Sequence, residues 1–166
     1  MRRLLNGVPE NLPSSEIEDL LDHHLPYRLE LLRNAIDRIP AKTIEDNQAF
    51  EAGAVAGRSL LSFLGIGYDR KTASIKPEQS HQREKEDKTD EIKVPDVGGV
   101  FVDINTLSRE QKQLIARFIH GVHKACAHFT WKSTHSLDVS TYRACAELIR
   151  DLYDAHIQRE SNKMLR

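Results

Sequence analysis

The chain has 166 residues, of which 30% are charged and 39% are hydrophobic, and its formal net charge is -1. This length fits one domain with a substantial core. The near-zero net charge excludes a global electrostatic field that would recruit nucleic acid or an anionic membrane. No apolar run approaches the roughly 18 to 20 residues needed to span a bilayer, and two cysteines are too few for a disulfide scaffold. We expect one soluble, cytoplasmic domain without a membrane partner.

The first helical segment spans about residues 15–39. Ser15 followed by Glu18 fits a capping box, and the apolar residues beyond them recur at spacings of three and four. Pro26 lies inside this segment. Because proline cannot donate a backbone hydrogen bond, it must either kink the helix or begin a second one in its first turn.

The second helical segment spans about residues 43–64, and Gly65 follows it as expected of a helix stop. Gly53 and Gly57 lie in its interior, where each glycine costs about 1 kcal/mol relative to alanine. Two glycines in one helix therefore predict the close approach of a neighbouring helix.

Residues 68–97 contain alternating charges of both signs, few apolar residues and no regular periodicity. This composition predicts a flexible charged insert of about 30 residues within the single domain. The apolar stretch "VFVDI" at residues 100–104 alternates like a strand. Since no second strand is evident, we expect an extended segment that leads into the next helix.

The third helical segment begins at Ser108, with Gln111 completing a capping box, and the fourth spans about residues 138–159. Both have apolar residues stepping by three and four, and the third has the clearest amphipathic pattern in the chain. Four amphipathic helices with short connections, apart from the insert, predict an all-α fold: a four-helix bundle covering residues 1–166.

The stretch "HGVHKACAH" in the third helix concentrates histidines. His120 and His123 are three residues apart and could share a metal on one helical face. His128 does not join them easily, because it lies about 140° around the helix from His123. The motifs Glu-x-x-His and His-Glu-x-x-His are both absent. We therefore expect a polar helix flank with no metal or cofactor, and a histidine-ligated metal protein is the alternative.

Other reactive side chains favour structural roles. Cys126 and Cys145 lie on apolar helix faces, where burial makes a thiol unreactive. Arg58 borders the apolar face of the second helix, and an ion pair explains it better than a functional cation does.

The element "HKACAH" resembles the motif of the HEPN superfamily (higher eukaryote and prokaryote nucleotide-binding domains). That resemblance implies a helical bundle of about this size, of a kind common in prokaryotic defence and toxin–antitoxin systems. Many such domains are dimeric, metal-independent ribonucleases with the pattern Arg-polar-x(3 to 5)-His. Here His123 takes the place of the arginine, Lys124 the polar position and His128 the histidine.

The resemblance and its departure lead to two functional expectations. A permanent cation suits a developing phosphorane charge, whereas histidine is only partly charged at pH 7. We therefore expect a non-catalytic interaction or regulatory module that forms a homodimer or binds another protein, with RNA as a candidate ligand. The alternative is a degenerate HEPN-type ribonuclease that uses His123, Lys124 and His128 as catalytic residues.

Overall fold

The computed structural model describes residues 4–5, 8–9, 14–38, 42–78, 92–126 and 137–161. These residues contain the helices α1 (Ser14–Asp19), α2 (Leu25–Asp37), α3 (Ile44–Phe63), α4 (Arg109–Cys126) and α5 (Val139–Ser161). They also contain two antiparallel strand pairs, β1 (Leu4–Leu5) with β2 (Val8–Pro9) and β3 (Ile66–Asp69) with β4 (Ser74–Pro77). The described chain is mainly helical, as predicted. Within it, no helix combines the length and apolar character needed to cross a bilayer.

A π-helical turn, Leu20–His24, joins α1 to α2 without a loop. Pro26 lies in the first turn of α2, as the sequence predicts for a second helix start. Its missing N–H removes one ordinary helical hydrogen bond. The N–H of Leu25 instead donates to the carbonyl of Leu20, five residues earlier. The wider turn therefore continues the helix across the proline.

The glycines of α3 lie where neighbouring helices come closest, which confirms the prediction of close approach. A Cβ atom added to Gly53 would lie 2.4 Å from the hydroxyl oxygen of Tyr142 and 2.6 Å from the Cβ of Ala35. A Cβ atom on Gly57 would lie 2.8 Å from Cζ of Phe118. Helix α3 can therefore pack against α2, α4 and α5 only because these two positions lack side chains.

Local hydrogen bonds fix the helix starts. At α4 the Ser108 N–H donates to the side chain of Gln111 (2.8 Å), and the Gln111 N–H donates to the Ser108 hydroxyl (3.2 Å), so the predicted capping box is confirmed. At α5 the Thr141 N–H donates to the Asp138 carboxylate (2.8 Å). At the end of α3, Gly65 has a φ of +84°, which confirms the predicted helix stop.

The prediction that residues 68–97 form a flexible insert is wrong for two parts of that range. Strands β3 and β4 form a hairpin, with Tyr68 opposite Ile75, and residues 94–97 form a 3₁₀ turn. The physical reason is burial: Ile66, Ile75 and Val94 are buried in the core, and these few apolar side chains suffice to anchor the charged segments around them. Residues 79–91 lie outside the described part of the chain.

The core lies between the helices and extends under the hairpin. Tyr142 of α5 is fully buried, its ring centroid 4.9 Å from that of Phe50 and 5.8 Å from that of Phe118. Its hydroxyl donates to the carbonyl of Leu32 (3.2 Å). Other fully buried side chains are Leu60, Leu61, Leu64, Ile66, Val94, Ile115, Val122, Cys145 and Ile149. The hairpin is thus held against α3 and α4, where it forms one wall of a cleft.

Candidate functional site

A cleft of about 270 Å³, here called the hairpin cleft, lies between α3, α4 and the β3–β4 hairpin. The polar residues that line it come from three separate elements. They are Arg58 and Ser62 of α3, His123 of α4, and Tyr68, Arg70, Lys76 and Glu78 of the hairpin and its flanks. The cleft therefore exists only when the hairpin is docked on the helices.

The lining of the hairpin cleft is predominantly cationic. Arg58, Arg70 and Lys76 are exposed and permanently charged at neutral pH. Glu78 is the one carboxylate among the described lining residues, and it pairs with the ammonium of Lys93 at 3.1 Å. The cleft thus presents three cations against a carboxylate that is already neutralised.

Among the described residues, Arg58 has no carboxylate partner for the ion pair expected from the sequence. Its guanidinium makes no hydrogen bond or ion pair with the described part of the chain, although Glu51 lies two turns earlier on the same helix. Glu51 lines a different surface, between α2 and α3. Arginine presents five donors in a planar fork that matches phosphate or carboxylate oxygens. Arg58 is therefore available to an anion.

A buried network behind the cleft holds the hairpin in place. Lys93 is only 8% exposed, and its ammonium donates to the hydroxyl of Ser62 (2.7 Å) and to the carboxylate of Glu78 (3.1 Å). The Ser62 hydroxyl donates to the same carboxylate oxygen at 2.9 Å. Because this network joins α3 to both ends of the segment between β4 and the 3₁₀ turn, it fixes the wall that presents Arg70 and Lys76.

The structure describes part of the predicted catalytic set. His123 is half-buried and lines the hairpin cleft, with its Nδ1 atom inaccessible to solvent. Lys124 lies in α4, but its side chain is outside the described part, and His128 lies outside the described residues altogether. The fold brings His123 together with Arg58, a pairing that the sequence did not predict.

His120 faces the other side of the hairpin. Its Nδ1 atom lies 3.1 Å from the Tyr68 hydroxyl, within hydrogen-bond distance, and both residues line a second cleft of about 420 Å³. Burial, and then the charge of Asp69, raise the pKa of Tyr68. Lys112 and Arg117 also line this second cleft, and no carboxylate is among its described lining residues. The cationic surface therefore continues onto α4 on the other side of Tyr68.

Two other hypotheses from the sequence can be compared with the structure. Among the described residues, no group of three or more His, Cys, Asp and Glu side chains lies close enough to hold a metal ion. Cys145 is fully buried in the core, and burial raises the pKa of its thiol far above the usual value. A thiol in that state is not a nucleophile at neutral pH.

Comparisons of this chain with protein-family models, with curated proteins and with solved structures find no match. The sequence did not predict Arg70 and Lys76 as site residues, because they lie in the segment that was expected to be unstructured. Their signal was present only as the short alternation around Ile75, which is buried while Ser74 and Lys76 are exposed.

Proposed function

We propose that this protein is a HEPN-like four-helix bundle that acts as a non-catalytic interaction or regulatory module and binds a phosphate-containing ligand in the hairpin cleft. The observation that supports this function is the lining of the cleft. Arg58, Arg70 and Lys76 converge on it from α3 and the hairpin, and its one described carboxylate is paired with Lys93. Convergent cations without free carboxylates favour an anionic ligand.

The second cleft favours a ligand with several phosphates. Lys112 and Arg117 add two cations beyond the hairpin, and Tyr68 lines both clefts. An aromatic side chain between two cationic surfaces suits a single-stranded nucleic acid, because bases stack on aromatic rings while the backbone follows the positive charge. A short single-stranded RNA is therefore the proposed ligand.

Fluorescence anisotropy with a short labelled single-stranded RNA tests this function. Replacing Arg58 or Arg70 with glutamine removes one charge-assisted contact, so each change should weaken binding about tenfold, or about 1.4 kcal/mol. Each should also reduce the slope of log affinity against log salt by about 0.7. Lys42→Gln is the matched control. Lys42 is also an exposed cation, but it lies before the N-terminus of α3, whereas Arg58 is near the C-terminus of that helix. Equal affinities for wild type, R58Q and R70Q would refute the proposal.

The second candidate function is a metal-independent ribonuclease, and the presence of His123 and Arg58 in one cleft supports it. In such a reaction the 2'-hydroxyl attacks the adjacent phosphorus atom. A cyclic 2',3'-phosphate then forms, and the 5'-oxygen leaves with a proton. A histidine could move the protons and an arginine could stabilise the phosphorane charge. Lys124 and His128 remain the further candidates from the sequence.

Incubation of the purified protein with RNA in EDTA separates the two functions. The non-catalytic module should bind RNA and leave it intact. Cleavage that is abolished by His123→Ala, by His128→Ala and by Arg58→Gln would instead establish the ribonuclease. Cleavage that survives all three changes would indicate a contaminating nuclease, which active-site variants of this chain cannot remove.

We also propose that the module is a homodimer. An exposed aromatic side chain on α2 supports this, because Tyr27 is 61% exposed and does not line the hairpin cleft. Light scattering of the purified protein should give twice the chain mass, and Tyr27→Glu should shift it to one chain mass. A monomeric wild type would rule out this assembly.

A further inference from the structure

A larger cavity, of about 660 Å³ and here called the helical groove, adjoins the hairpin cleft at Arg58 and Ser62 of α3. Its borders are the π-helical turn, α2, α3, residues 92–93 and the buried Val122 of α4. Its floor is apolar. Leu25, Leu60, Phe63 and Val122 line it, and each is less than 10% exposed.

The rim of the helical groove is cationic. Arg28, Arg58 and Lys93 line it together with His24, and no carboxylate is among its described lining residues. Lys93 forms an ion pair with Glu78 and a hydrogen bond with Ser62. Arg28 and Arg58 have no carboxylate partner among the described residues, so they are the two cations of the rim that can attract an anion. The groove thus combines an apolar floor with an edge that attracts anions.

The π-helical turn shapes the edge of the groove. Leu20 and His24, at its two ends, both line the groove. One turn later, the guanidinium of Arg28 donates to the backbone carbonyl of His24 at 3.2 Å. This bond uses a single N–H of the guanidinium and holds its remaining donors at the rim. The local irregularity caused by Pro26 therefore positions one of the two cations.

We propose that the helical groove binds a small amphipathic anion, an unbranched apolar chain that ends in a carboxylate or a phosphate monoester. The apolar floor accepts the chain, and Arg28 with Arg58 holds the anionic group. The cationic rim disfavours a cationic ligand, and the apolar floor gives a purely polar ligand no hydrogen-bond partners. The volume lies within the range of about 300 to 1,000 Å³ that is typical of small-molecule sites. This inference does not depend on RNA binding in the hairpin cleft.

The test is a homologous series of straight-chain carboxylates, from hexanoate to dodecanoate, titrated below their micelle concentrations by calorimetry. Each added methylene should strengthen binding by up to about fourfold until the groove is filled, because each buries a similar apolar area. Decanoate and decyl phosphate should each bind at least about tenfold more tightly than decan-1-ol. The stronger of the two identifies the anionic group. Equal affinity of decanol and both anions, or no dependence on chain length, would overturn the proposal.

Three arginines locate the ligand. Arg28 lines the helical groove but not the hairpin cleft, Arg70 lines the cleft but not the groove, and Arg58 lines both. We therefore expect R28Q to weaken decanoate binding about tenfold without changing decanol binding, and R70Q to leave decanoate binding unchanged. R58Q should weaken both decanoate and RNA binding. R33Q, the same change at an exposed arginine of α2 that lines neither cavity, is the matched control.

The same variants separate this proposal from the function proposed for the cleft. If decanoate binds and R28Q weakens it, the groove site stands even when RNA does not bind. If R28Q, with unchanged circular dichroism and thermal midpoint, binds decanoate as wild type does, the groove assignment is wrong whatever happens with RNA. Equal weakening by R28Q and R70Q would also overturn it, since it would mean a nonspecific effect of surface charge.

Discussion

Replacing Gly53 with alanine should destabilise the protein although alanine is the better helix former. The added Cβ would lie 2.4 Å from the Tyr142 hydroxyl, 2.6 Å from the Ala35 Cβ and 2.7 Å from the carbonyl oxygen of Leu31. Because the last contact is backbone, α2 itself must move. Overpacking of this kind costs about 1 to 3 kcal/mol, and loss of the hydrogen bond from Tyr142 to Leu32 costs about 1 kcal/mol more. Alanine returns about 1 kcal/mol through helix propensity, so we expect a net loss of about 2 kcal/mol.

Urea denaturation followed by circular dichroism measures this loss as a lower midpoint with an unchanged slope. Gly67→Ala is the control, since a Cβ there would meet its nearest neighbours at an ordinary 3.5 Å. In a double-mutant cycle, Tyr142→Phe removes the closest contacting atom, so G53A should cost less in that background. A G53A protein as stable as wild type would show that α2 and α3 adjust freely, and it would refute the account of why this position is glycine.

Three further predictions concern single positions. Hydrogen bonds from the side chains of Ser140 and Thr141, and from the Thr141 N–H, lower the pKa of Asp138 from 3.8 to about 2. Asp138→Ala should therefore cost about 1 kcal/mol at pH 7. The difference in unfolding free energy between wild type and D138A should shrink as the pH falls from about 4 towards 2, because the stabilising carboxylate becomes protonated. A difference that does not change with pH in this range would contradict the prediction. Lys93→Met should lower the urea midpoint by the equivalent of about 1 to 3 kcal/mol, because Glu78 and Ser62 lose their donor, whereas Lys76→Met should change it by less than about 0.5 kcal/mol. Gly65→Ala should cost more than about 1 kcal/mol in the same assay, because its φ of +84° is disfavoured for residues with a side chain.

The helices could be predicted from the sequence because their signals are local. A capping box such as Ser108 with Gln111 involves two side chains within one turn, and the structure contains its two hydrogen bonds. Pro26 marks the start of α2 in the same way, since its effect is covalent. The glycines of α3 could be interpreted only in part from the sequence. Their cost in a helix predicted that something packs closely against them, but not that it would be Tyr142 and Phe118.

The hairpin and the candidate site could not be predicted, because both depend on contacts between distant parts of the chain. Two four-residue strands give too short an alternation to stand out from a charged segment. Their stability comes from Ile66 and Ile75 packing into a core made by the helices. The charges around them resemble those of an unstructured insert, and only burial distinguishes the two cases.

The position of Arg58 connects the two proposed sites. In sequence it is a single arginine at the border of an apolar helix face, and an ion pair within the helix or with another helix is its simplest explanation. In the fold, the hairpin cleft and the helical groove meet along α3, and Arg58 lines both. Ser62, one turn later, also lines both and is held by Lys93 and Glu78. A hydrogen-bonded network fixes the next turn of the helix, while Arg58 is exposed and has no partner among the described residues. That arrangement suits a side chain that binds a ligand better than one that stabilises the fold.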